Sequence, residues 1–151
     1  MKMLPINAEV HEIKAVLVEW TELMAQEKYT EALELIPYDE FHYYEENEWT
    51  PELLEAVVNG YGIVFSTKEE LIEDFGCINK ITSLNAMPDR DEIIESIEIE
   101  HDLKWLREND LAEIWYDVPL NGKQSDLTGR FIIRKIDEQH ITLIFEDLHV
   151  M

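Results

Sequence analysis

From Ile97 to Val150 the chain alternates apolar and polar residues with a period of two, the pattern of half-buried β-strands. In Ile97–Trp105, the residues Ile97, Ile99, Leu103 and Trp105 share one side and four charged residues the other. Three tight turns are predicted to fold this stretch into one antiparallel sheet. A turn at Glu108-Asn109 sets His101 opposite Tyr116 and Leu103 opposite Ile114. A turn at Asn121-Gly122, a strong hairpin signal, sets Tyr116 opposite Leu127 and Ile114 opposite Gly129. A third at Glu138-Gln139 sets Phe131 opposite Glu146, Ile133 opposite Ile144 and Gly129 opposite Leu148. A slip of one residue would turn a strand's side chains over, so an apolar face that survives three turns supports this register.

The first half carries helical spacing instead. Asn7 is placed to cap a helix with an apolar stripe of Val10, Ile13, Leu17, Trp20 and Met24. After a turn at Glu27-Lys28-Tyr29, a second helix runs through Ala32, Leu33 and Ile36 to Pro37. Thr50-Pro51 opens a third and Gly60 closes it. Ser66-Thr67-Lys68-Glu69 has capping-box spacing for a fourth, through Leu71, Ile72 and Phe75 to Gly76. Residues 38–49 read as a loop with a short edge strand, and Ile78–Ala86 as a strand before a turn at Pro88-Asp89. The fold class is therefore α+β: N-terminal helices packed on a C-terminal antiparallel, curved β-sheet, a roll of about four to five strands. Residues 1–151 form a single domain, with no repeat or linker dividing them.

A chain of 151 residues with 46% hydrophobic content can fill one core, and its formal net charge of −22 narrows the choice of partners. Nucleic acid and anionic membrane are disfavoured, because both require clustered Lys and Arg. No apolar run is long enough to span a bilayer, and the N-terminus lacks the apolar core of a signal peptide. A soluble cytoplasmic protein of bacterial type is expected. Cys77 is the single cysteine and is expected to be a small buried hydrophobe. The acidity reads either as a solvated surface or as a docking face for a basic protein partner.

Trp20-Thr21-Glu22-Leu23 followed by Tyr29-Thr30-Glu31-Ala32-Leu33-Glu34-Leu35 resembles the opening helices of the nuclear transport factor 2-like (cystatin-like roll) superfamily. Phe131-Ile132-Ile133-Arg134 and His140-Ile141-Thr142-Leu143-Ile144-Phe145 are similar to its last two strands. The resemblance covers about half the chain, and the stretch between Pro37 and Ser66 departs from the compact pattern. Asp126–Phe131 with Glu146–Val150 also resembles a family of small uncharacterised bacterial domains, a likeness that implies no activity. The roll superfamily often holds a pocket between helices and sheet, used by some members as an isomerase or dehydratase site and by others to bind.

That implied pocket directs attention to the polar residues of the inner face, which are His101, Tyr116 and Glu146. His101 and Tyr116, as cross-strand neighbours, form either an acid/base couple or a core histidine satisfied by a hydroxyl. On the outer face Glu113, Arg130 and Asp147 fall on one level, with Trp115, Thr128 and His149 a step along. They read as a cross-strand ion ladder or as a polar ligand site. Ile132, Ile141, Leu143 and Phe145, with Ile136, also gather on that face as a candidate interface. A homodimer or the segment Tyr38–Trp49 is expected to cover them. Phe41-His42-Tyr43-Tyr44 is a packed loop or a binding rim. No phosphate loop, nucleophile elbow or paired Cys/His spacing occurs, so no cofactor and no metal site is expected.

The functional expectation is a non-catalytic binding or interaction protein, in its sharpest form an immunity-like protein directed at a basic protein. One alternative is a small-molecule-binding or isomerase/dehydratase-type enzyme with a pocket between helices and sheet. A second is a structural subunit of a larger assembly. An open pocket around His101 and Tyr116 favours the enzyme, and a packed core there favours the interaction protein.

Overall fold

The computed structural model describes residues 1–39 and 48–150, and the candidate rim Phe41-His42-Tyr43-Tyr44 lies outside them. In chain order the elements are β1 (Leu4–Pro5), α1 (Val10–Ala25), α2 (Tyr29–Leu35), α3 (Pro51–Asn59), α4 (Lys68–Phe75), α5 (Arg90–Glu95), β2 (Glu98–His101), β3 (Asp110–Leu120), β4 (Lys123–Lys135) and β5 (His140–Val150). The strands form one antiparallel, curled sheet in the order β1-β5-β4-β3-β2, and the helices precede its three long strands, so the fold is an α+β roll. The pairing of β1 with β5 has no counterpart in the alternating pattern.

Local chemistry sets the helix boundaries. On α1 the stripe Ile13, Leu17, Trp20 and Met24 is buried, whereas Val10 faces solvent. Glu9 rather than Asn7 is the capping residue, its N–H donating to the Glu12 carboxylate at 3.4 Å. The hydroxyls of Thr50 and Thr67 accept the N–H groups of Leu53 and Glu70 at 3.1 and 3.2 Å, each satisfying a free donor in a first turn. Gly76 ends α4 at φ +76°, a backbone state open to glycine without strain. Ile78–Ala86 is not a strand. Asparagine amides replace the ladder there: Asn79 Nδ2 donates to Asn59 O at 2.8 Å, and Asn121 Oδ1 accepts from Lys80 N at 3.1 Å. A single bridge, Ile81 to Leu120, and one 3₁₀ turn over Leu84–Ala86 complete the stretch. Cys77 is exposed, not buried.

The predicted turn at Asn121-Gly122 forms, with both residues at positive φ and Leu120 opposite Lys123. Beyond it the register departs from strict alternation. Pro119 brings no N–H to the ladder, and Val118 faces a bulge of Ser125, Asp126 and Leu127 in which the Ser125 hydroxyl donates to Val118 O at 2.7 Å. Two extra residues keep the faces but move Tyr116 opposite Gly129 and Ile114 opposite Phe131. On β2, Asp102 turns the chain at φ +60°, so the strand ends at His101, which pairs with Ala112 and not with Tyr116. Trp105, expected in the core, is 60% exposed.

The largest correction lies on β5. Gly129 pairs with Leu148 as the alternation predicts, but Phe131 pairs with Phe145, leaving Glu146 as a one-residue bulge. Upstream of Glu146 every side chain therefore turns over. Ile141, Leu143 and Phe145 belong to the inner face and the buried core instead of an outer interface. Of the four candidate interface residues only Ile132 is outside, paired with Ile144, and both are buried.

The core is organised around Trp20. Its ring meets Phe131 edge-on at 5.2 Å and lies 6.3 Å from Phe145 and 6.4 Å from Tyr116, while Trp49 packs edge-on against Phe145 at 4.9 Å. Gly129 makes room for this cluster, because a Cβ there would sit 2.9 Å from the Phe131 ring. Replacing Trp20 by alanine should cost about 3–5 kcal/mol, read from the denaturant midpoint and slope. A loss below about 1 kcal/mol would show that α1 does not anchor the sheet.

Candidate functional site

The inner face does not bring the predicted pocket residues together. Tyr116 is buried, and since the Thr21 hydroxyl donates to Leu17 O at 2.8 Å, the Tyr116 hydroxyl donates to Thr21 Oγ1, also at 2.8 Å. Burial pushes this phenol well above its ordinary pKa, so it stays neutral at physiological pH. His101 is exposed at the end of β2, opposite a residue four positions along β3 from Tyr116. Glu146 sits in the β5 bulge, three strands from His101 and two from Tyr116. The register that made His101 and Tyr116 an acid/base couple is not the register of the sheet.

The outer face carries the most developed polar arrangement. Glu113 is 1% exposed, and its carboxylate accepts from Trp115 Nε1 at 2.6 Å, Trp105 Nε1 at 2.5 Å and Arg130 Nε at 2.8 Å. Burial raises the carboxyl's pKa, but the two indoles and the guanidinium outweigh it and hold the group below the usual carboxylate range. Arg130 lies opposite both Trp115 and Asp147, so the predicted Arg130–Asp147 level is present and Glu113 reaches Arg130 on the diagonal. Asp147 Oδ1 accepts the Leu148 N–H at 2.7 Å, and its Oδ2 lies 2.6 Å from His149 Nδ1. The expected exposed ladder is thus built around a buried carboxylate.

A second buried carboxylate lies farther along the same face. Pro37–Asp39 runs beside β5, with Phe145 N donating to Pro37 O and Asp39 N to Phe145 O. Asp39, itself buried, meets Arg134 Nη2 at 2.9 Å and Arg107 Nη1 at 3.2 Å, and Arg134 Nε bonds to Asp110 at 2.7 Å. Trp105 and Arg107 therefore fasten the connection between β2 and β3 onto the outer face at two points. Sequence reading missed Asp39, Asp110 and Arg134. Arg134 follows Arg130 and Ile132 at the outer-face spacing of two and was legible. Asp39 was not, because it lies in a stretch without periodicity.

This arrangement fixes the position of the chain over the outer face. Each buried carboxylate is charge-paired, and among the described residues no group of three or more His, Cys, Asp or Glu side chains is placed to hold a metal ion. Two of the clefts among the described residues lie elsewhere. One of about 270 Å³ lies between α3 and α4, bounded by Glu52, Glu55, Phe65 and Lys68. Another of about 300 Å³ lies between α2 and α3, bounded by Glu27, Glu31, Glu52 and Glu55. Neither reaches the sheet. Among the described residues no helix is long and apolar enough to cross a membrane.

The depressed folded-state pKa of Glu113 makes its contribution pH-dependent. Ionised Glu113 stabilises the fold above its ordinary value of 4.5, and that contribution fades as pH falls through the lower folded value. Glu113→Gln should cost roughly 2 kcal/mol near neutrality, and its deficit relative to the native chain should shrink as pH falls below the carboxylate range. A deficit independent of pH would show that charge is not what the indoles and Arg130 recognise.

No family model, curated protein or solved structure matches this chain.

Proposed function

We propose that this chain is a non-catalytic binding protein that carries an acidic surface to a basic protein partner. The carrying observation is the state of the space between helices and sheet. Where an enzyme of roll architecture needs a cavity, Trp20, Phe131 and Phe145 are in ring contact, and the inner-face hydroxyl of Tyr116 is bonded to Thr21. The second support is electrostatic. A net charge of −22 accelerates encounter with a cationic surface and disfavours acidic competitors.

An immunity-like role in the cytoplasm, in which an acidic domain neutralises a basic enzyme, is the form of this reading that makes fullest use of the charge. The roll superfamily that the sequence resembles contains members that only bind, which is compatible with a filled interior. The test is to identify the partner from source cells and rebuild the complex from purified components. A partner with pI above about 9 is expected, with affinity weakening about tenfold or more between about 50 and about 300 mM salt. A neutral partner held equally well at both salt concentrations, or turnover of a small molecule by the purified chain, would overturn the proposal.

A further inference from the structure

Resting on that reading, we propose that α4 and the loop of residues 61–65 form the docking surface, and that its occupant is a cationic amphipathic segment of the partner. Leu71 is the one residue of α4 that is buried. Ile72 and Phe75, three residues apart and so on one face, are 47% and 42% exposed. Phe75 stacks on Tyr61 at 6.3 Å and meets Phe65 edge-on at 5.9 Å, which makes helix and loop one surface. On that loop Ile63 and Val64 are each 55% exposed.

The loop is set before any partner arrives. Tyr61 and Gly62 take positive φ, Gly62 N donates to Val57 O at 2.9 Å, and the Tyr61 hydroxyl bonds to Asp126 on β4. A side chain at position 60 would collide with the Ile63 carbonyl, so the tight return of the chain requires Gly60. A fixed backbone presenting apolar side chains loses little entropy on binding.

Charge selects the occupant. Glu69, Glu70, Glu73 and Asp74 are exposed on the same helix against one lysine, Lys68, and Glu69 and Glu73 lie on the side next to Ile72, so the apolar residues sit on an acidic element. A second copy meeting this surface about a two-fold axis would bring like carboxylates together, at a cost that grows as water is excluded. An anionic lipid surface would be repelled for the same reason. Leu, Met or aromatic side chains flanked by Lys or Arg satisfy both the apolar residues and the acidic element.

Titration of the ¹⁵N-labelled chain with three peptides tests this: an amphipathic lysine/leucine helix, its glutamine/leucine counterpart, and oligolysine. The amphipathic cationic peptide should give its largest amide shifts at residues 61–76, and Ile72→Ser should weaken it about tenfold while leaving the melting temperature within a few degrees. The glutamine counterpart should bind far less, and oligolysine weakly and diffusely. Shifts spread over α1 and α2, equal in native chain and Ile72→Ser, would overturn the assignment of this surface while leaving the basic-partner reading in place. No response to any lysine peptide at low salt would overturn both. Sedimentation of a native dimer that Ile72→Ser converts to monomer would make the occupant a second copy and refute the proposal.

Discussion

The inserted residue Glu146 is the constraint on which the rest of the structure depends. β5 contains two apolar sets out of phase with each other, Ile141, Leu143 and Phe145 before the insertion and Leu148 after it. Side chains alternate with a period of two, so only an odd insertion brings both sets to one face. With it, Phe145 completes the cluster of Trp20, Phe131 and Trp49, and the volume between helices and sheet closes. Without it Phe145 would point away from α1, and the interior would hold Glu146 beside Phe131.

Turning half of β5 inward leaves Ile132 and Ile144 to be buried on the outer face, with Arg130 and Arg134 beside them on β4. The connection between β2 and β3 folds over that face, and its polar groups meet partners there. Trp105 reaches Glu113, and Arg107 reaches Asp39. Buried ion pairs of this kind add little net stability relative to an apolar replacement, but leaving either member alone is costly. Their effect is to admit one placement of the connection. The polar cluster that first reads as a site is thus part of the architecture.

Much of this was legible in the alternation and the turn chemistry. The α+β class, the helices beginning at Thr50-Pro51 and after Ser66-Thr67, and the hairpin at Asn121-Gly122 follow from local rules, whereas Glu113, expected opposite Arg130, reaches it only on the diagonal because Trp115 takes that place. The register failures between β3 and β4 and between β4 and β5 share one physical cause. Pairing by alternation assumes equal residue counts on both strands, and bulges break that assumption. The two-residue excess on β4 left the faces intact, so its error moved neighbours only; the single excess residue on β5 inverted a face and created an outer apolar patch that does not exist. His101 went astray for another reason, because Asp102 turns the chain earlier than the expected turn at Glu108-Asn109. Asp39 and the short β1 were beyond reach, since they bind the sheet edge by backbone bonds that leave no trace in side-chain periodicity.

The proposed recognition role rests on an interior closed by the bulge and on a net charge of −22. Everything in that inference begins with the pairing of β4 and β5, which cross-strand nuclear Overhauser effects read directly. Contacts joining the backbones of Phe131 and Phe145, Ile133 and Leu143, and Gly129 and Leu148, with Glu146 bulged out of the ladder, are the expected result. Contacts joining Phe131 to Glu146 and Ile133 to Ile144 would mean an unbroken ladder, an outward Phe145 and an open interior, and would contradict the structure at its centre.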